Sequence, residues 1–220
     1  MSPLLIALLG ALLLPVFVGS WRMSLFGLAL QGVILAAVAY PGLGPLRSAH
    51  AWLSLADLGL VRGVLVPLAL YTVLRAQGAP ARNDTIAPNL FSWTLTLGMV
   101  LAAFNLSNVL VSDPGQEQTL VAIAVAGVLL GFLVLASAAG PFSQMVGVLR
   151  IENAIATLQL SRAHESCFAL ELAMLAVFVA SVALFRWYLA SLESHPAALR
   201  QRPGERGATA DPAAPDSLTL

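Results

Sequence analysis

The chain has 220 residues, 59% of them hydrophobic and 10% charged, with eleven basic residues balanced by eleven acids and a mean hydropathy of +0.86. Such a chain has too little polar surface to cover a soluble domain, so composition excludes that class and specifies a polytopic membrane protein. The basic residues are all arginine and leave no broad positive face for nucleic acid; the single cysteine, Cys167, excludes an internal disulfide, and no Cys/His spacing suits zinc, haem or an iron–sulfur cluster.

A hydrocarbon core of about 30 Å needs about 20 apolar residues per helix. Seven such runs are predicted, at 3–20, 23–40, 50–75, 90–111, 118–139, 141–160 and 166–189, between polar or Pro/Gly breaks. The first has no basic region before it and "VFVGSW" is a poor cleavage site, so it is expected to be a retained span and not a signal peptide.

The third run, "HAWLSLADLGLVRGVLVPLALYTVLR", contains Asp57, Arg62 and Pro67. His50, Ser54 and Asp57 share one face at i, i+4, i+7, whereas Arg62 projects about 140° from Asp57 at about 100° per residue, so a pair within the helix is not assured. Pro67 lacks a backbone donor and frees the carbonyl of Gly63, which predicts a kink or a water near mid-membrane. Arginine keeps its proton, so Arg62 can set the field for an acid but cannot carry the proton itself. Two readings stay open for this pair: a kink anchored by buried charge, or part of a functional path. Gly59/Gly63 and, in the fifth run, Gly127/Gly131 form GxxxG pairs that predict close helix crossings.

The sixth run holds "VLRIENAIATLQL", Val148 to Leu160. Ile151, Ala154, Ile155 and Leu158 make an apolar stripe; Arg150, Asn153 and Thr157 make a second, polar stripe, and Glu152 with Gln159 a third. A helix polar over more than half its circumference must be wrapped by other helices or line a hydrated cavity. Glu171 follows in the seventh run. An ionisable residue at mid-membrane costs about 2.5–3.5 kcal/mol on insertion scales, so Asp57, Arg62, Arg150, Glu152 and Glu171 are all site candidates, with a structural ion pair as the alternative. Counted from the loop around Ser161 to Glu165, Glu152 is expected roughly 14 Å deep and Glu171 roughly 9 Å deep, at comparable levels. Burial and a neighbouring arginine act in opposite directions on a carboxyl, and their balance can set it to exchange protons near neutral pH, as a proton relay requires.

Beyond Ser191 the sequence "SLESHPAALRQRPGERGATADPAAPDSLTL" has no apolar periodicity and is expected to be a disordered cytoplasmic tail. With the N-terminus outside, Arg22, Arg75, Arg82, Arg186, Arg200, Arg202 and Arg206 fall on the inner side and only Arg47 and Arg162 on the outer. The positive-inside rule therefore predicts a periplasmic N-terminus and a cytoplasmic C-terminus. The expected organisation is an all-α membrane bundle: a four-helix part over 1–111, a three-helix part over 118–189 and the tail over 190–220. No nucleophile stands near a plausible base, no phosphate loop occurs, and His50, His164 and His195 are scattered at or beyond span ends. No bond chemistry and no cofactor are expected in this chain alone.

Three stretches carry a resemblance: "SWRMSLFGLALQGVILA" (Ser20 to Ala36), "VRGVLVPLAL" (Val61 to Leu70), and "VGVLRIENAIATL" (Val146 to Leu158) followed by "CFALELAMLAVFVASVALF" (Cys167 to Phe185). The chain resembles the hydrogenase-4 component E family, whose C-terminal part is similar to the small K-type membrane protein of respiratory complex I and to its counterpart in multisubunit sodium/proton antiporters. The resemblance implies a bacterial inner-membrane subunit of a proton- or ion-translocating complex. Antiporter-like membrane subunits, and a hydrogenase or other redox module, are then the implied partners. It also implies that Glu152 and Glu171 take the places of the acids on the second and third helices of the K-type protein, within a buried polar axis. Arg62 departs from the pattern, since component E relatives carry a lysine before the "VP" step. Two further readings stand beside it: a scaffold subunit whose buried charges fix helix register, and a stand-alone secondary transporter, disfavoured because no internal repeat is visible.

Overall fold

A helix stands over each of the seven apolar runs in the computed structural model, which describes residues 2–17, 20–42, 49–76, 90–112, 115–137, 141–161 and 168–193. In chain order these are α1 (Pro3–Phe17), α2 (Trp21–Ala39) with a 3-10 turn at Tyr40–Gly42, and a third span in which α3 (Ala49–Leu55) and α4 (Val66–Ala76) flank a π-helix (Ala56–Leu65). Then follow α5 (Leu90–Leu110), α6 (Gln116–Ser137), α7 (Pro141–Ser161) and α8 (Phe168–Glu193). No strand occurs among the described residues.

Five helices are long and apolar enough to cross a membrane: Trp21–Gly42, Ala51–Arg75, Leu90–Leu110, Gln116–Ser137 and Phe168–Leu189. The chain is therefore an all-helical, multi-pass membrane protein. The first and sixth expected spans fall short of that mark for different reasons. The apolar part of α1 is Pro3–Leu14, about 18 Å at 1.5 Å per residue. α7 has the length, but Ser143, Gln144, Arg150, Glu152, Asn153, Thr157 and Gln159 dilute its hydropathy. α8 continues to Glu193, past its expected end at 189. The rest of the expected tail, the loop arginines Arg47, Arg82 and Arg162, and Asp113, His164, Cys167 and His195 lie outside the described residues, as does the side chain of His50.

The bundle has two apolar cores at opposite ends. One gathers Leu25 at the start of α2, Phe142 and Met145 at the start of α7, Leu74 at the end of α4 and Leu189 at the end of α8. Trp21 meets Phe142 edge-on there, ring centroids 4.8 Å apart. The other gathers Leu5 and Leu8 of α1, Val38 and Ala39 at the end of α2, Leu58 of the π-helix, Leu120 of α6 and Ala156 near the end of α7. The helices around these cores thus alternate in direction, as short connections between neighbours require. A third cluster, Leu12, Val100, Ala103, Ala126 and Leu130, seats α5 against α1 and α6.

Two glycine crossings bring backbones together inside this frame. A Cβ on Gly32 of α2 would stand 2.5 Å from the Gly63 nitrogen, and one on Gly131 of α6 would stand 2.5 Å from Ile151 Cγ1 and 3.2 Å from the Gly147 oxygen. Only glycine allows either approach, which is how small residues drive packing where lipid removes the usual hydrophobic force. The remaining surface is apolar. Leu90, Phe91, Leu97, Leu101 and Val109 of α5 and Val177, Leu184 and Trp187 of α8 are exposed, a distribution that water would penalise and lipid accepts.

Candidate functional site

The site starts from Pro67. Its ring crowds the carbonyl four residues back and offers no N–H, so an α-helix cannot run through it undisturbed. Here the disturbance takes the form of a widened coil over Ala56–Leu65, in which, for example, the Val66 N–H bonds to the Val61 carbonyl. A π-helix bonds i to i+5 and so brings residues five apart near one another on one face.

Asp57 and Arg62 are such a pair. Arg62 Nε donates to Asp57 Oδ1 at 3.0 Å and to Oδ2 at 3.1 Å. The separation of about 140° expected from α-helical winding is overturned by the local change of helix type. The close approach of α2 at Gly32 and Gly63 covers this turn, and the Arg62 side chain is 1% exposed against 16% for Asp57.

Arg62 then reaches across to α7 and α8. Its Nη1 donates to the Glu152 carbonyl at 3.2 Å and to Asn153 Oδ1 at 3.3 Å, while Cζ lies 4.0 Å from the centroid of the Phe178 ring. A guanidinium desolvated this fully needs such a set: a carboxylate, further acceptors and an aromatic face together replace water. The Glu152 carboxyl turns to α8, where Ser181 Oγ donates to Oε1 at 2.9 Å. Its other oxygen, Oε2, is buried with no hydrogen-bond partner among the described residues.

Glu171 stands apart from this group. Ser54 Oγ donates to its Oε2 at 2.9 Å, joining α8 to α3. Ser181 and Glu171 lie ten residues apart on one helix, about 15 Å along its axis, so the two glutamates do not share a level as loop distances suggested. The reason is register: the level of Glu152, nine residues before the end of α7, is met on α8 only at Ser181, thirteen residues from its start. Ser54 stands at the level of Glu171, and Asp57 follows one turn later on the third span, toward Arg62 and Glu152. The result is a file of polar side chains, Glu171 and Ser54, then Asp57 and Arg62, then Glu152 and Ser181, in which Arg62 is buried and the others are partly exposed.

Arg150 points elsewhere. Two residues from Glu152 on α7, it faces α1, where Nη2 donates to the Leu12 carbonyl, and it is 1% exposed. The stripe it forms with Asn153 and Thr157 is buried throughout, at 3% and 4% for those two, as expected for a helix wrapped by protein. Sequence reasoning brought out Asp57, Arg62, Glu152, Glu171 and Pro67 but missed Ser181 and Phe178. A serine or phenylalanine in an apolar run reads as packing; only Ser181's place opposite a glutamate reveals its use.

No group of three or more His, Cys, Asp or Glu that could hold a metal occurs among the described residues. No family model, no curated protein and no solved structure matches the chain.

Proposed function

We propose that this chain is a membrane-arm subunit of a complex I-like, energy-converting complex of the hydrogenase-4 type, in which its partly buried polar file takes part in moving protons. The observation that supports this reading is Glu152. The residue is partly buried among the helices; its carboxyl is held by one hydroxyl, Oε2 is buried without a hydrogen-bond partner among the described residues, and Arg62 bonds to its backbone carbonyl. An ionisable side chain within a membrane-spanning segment is costly and marks ion paths and proton relays. Glu171, Ser54 and Asp57 extend the polar surface toward the other end of the third span. All seven helices cross the bilayer in this reading, with α1 and α7 shielded by their neighbours, the N-terminus periplasmic and the C-terminus cytoplasmic in a bacterial inner membrane. The redox chemistry, where there is any, belongs to partner subunits.

The scaffold reading keeps one specific support: Arg62 is tied to Asp57, Glu152, Asn153 and Phe178 at once, as a register pin would be. Tagging the C-terminus, extracting the native membrane in mild detergent and identifying what accompanies the chain by mass spectrometry tests the assembly. Large antiporter-like subunits are the expected companions; a chain that purifies alone or as a homo-oligomer contradicts the proposal.

A further inference from the structure

A second polar locus lies on the far side of α7 from Glu152. A small cavity between α1, α2, α6 and α7, about 10 Å³ as measured by where the centre of a water-sized sphere can go, is lined by Leu12, Gln31, Ile123, Gly127, Asn153 and Thr157 among others. Three of these residues are polar, and all three are nearly fully buried: Gln31 at 4% exposure, Asn153 at 3% and Thr157 at 4%.

Their hydrogen bonds are incomplete in a matching way. Gln31 Oε1 is buried with no hydrogen-bond partner among the described residues. Thr157 Oγ1 spends its hydrogen on the Asn153 carbonyl at 2.8 Å and keeps its lone pairs as acceptors. Asn153 Oδ1 accepts from Arg62 Nη1, so the side-chain donor that Asn153 has to offer is Nδ2. Two acceptors and one donor around a space of one water are what a buried water needs, since such waters make about three hydrogen bonds and occupy at least about 10–15 Å³ by this measure. A buried amide oxygen left bare costs about 1–3 kcal/mol, so the site favours being filled.

We propose that this cavity binds a single water, which donates to Gln31 Oε1 and Thr157 Oγ1 and accepts from Asn153 Nδ2. The water joins Arg62, through Asn153, to the α1/α2/α6 side of the bundle. The polar system therefore passes through α7 from α8 to α2, instead of ending at Arg62. This site stands on its own geometry and holds whether or not the file carries protons.

The test is a density map of the full chain in lipid nanodiscs, with whatever subunits accompany it, at a resolution that shows ordered waters. One isolated peak within hydrogen-bond distance of Gln31, Asn153 and Thr157 is expected, with loss of that peak in Gln31→Leu. Thermal midpoints supply the second readout. Because Gln31 and Thr157 act on one water, the double variant Gln31→Leu/Thr157→Val should shift the midpoint by less than the sum of the single shifts, and Gln31→Met serves in place of Gln31→Leu where the latter does not fold. A direct contact between Gln31 and Thr157 with no peak, or additive shifts with no peak, overturns the proposal.

Discussion

Arg62 and Asp57 stand five residues apart on one helix and share two hydrogen bonds, at 3.0 and 3.1 Å, because the turns between them are wound as a π-helix. The pair and the helix type depend on each other. Removing one partner strands a charge in a site closed by α2, α7 and α8, and breaking a buried pair in this way costs about 3–5 kcal/mol. Asp57→Asn should therefore lower stability by an amount of that order in reconstituted unfolding, while the double variant Asp57→Leu/Arg62→Leu should recover most of it. Equal loss in both variants would show that packing, and not charge, holds this turn.

Gly32 and Gly63 set how near α2 comes to the π-helix. A Cβ on Gly32 meets backbone on the opposite helix, which cannot turn aside as a flexible side chain can. Gly32→Ala should cost about 1–3 kcal/mol by overpacking and lower the yield of folded protein. Gly98→Ala, where a Cβ meets nothing within 4 Å, should stay within about 0.5 kcal/mol. Thermal unfolding of the two variants in the same lipid decides.

Ser54 and Ser181 serve different carboxyls, those of Glu171 and Glu152, and Glu171 and Ser181 lie about 15 Å apart along α8. Ser181→Ala should change the carboxyl infrared band that Glu152→Gln removes, and Ser54→Ala should leave that band in place. Their effects on stability should add, as for independent sites. A band that responds equally to both serines would mean that the two carboxyls form one coupled group.

The exposed apolar faces are predicted to meet lipid. Trp52 and Trp187 are 60% and 69% exposed, whereas Trp21 packs against Phe142. All three lie near helix ends, the membrane depth that tryptophan favours. In variants that keep a single tryptophan, brominated lipids should quench Trp52 and Trp187 strongly and Trp21 less. Quenching of Trp187 by aqueous iodide but not by lipid bromine would place α8 outside the bilayer.

Helix positions and the wrapped character of α7 were legible in the sequence because they rest on composition and on a period that α-helices keep. The buried stripe of Arg150, Asn153 and Thr157 is the clearest case. The Asp57–Arg62 pair was not legible, since a winding of about 100° per residue does not hold through a segment that Pro67 forces into another helix type. The level of Glu171 was misplaced for a related reason: depth counted from a loop supposes that neighbouring helices start together, and α8 is offset against α7. Arg150 illustrates a third limit. Helical period already put Arg150 on a different stripe from Glu152, but only the structure shows what that stripe faces, with Arg150 donating to the Leu12 carbonyl of α1.

The proton-path reading stands or falls on Glu152. Glu152→Gln keeps the side chain's size and leaves Ser181 an acceptor while removing the titratable group. In native membrane vesicles, with the amount of assembled complex measured alongside, the account predicts normal assembly and a loss of coupled proton movement. Unchanged proton movement per assembled complex would contradict it and leave Glu152 a structural partner of Ser181.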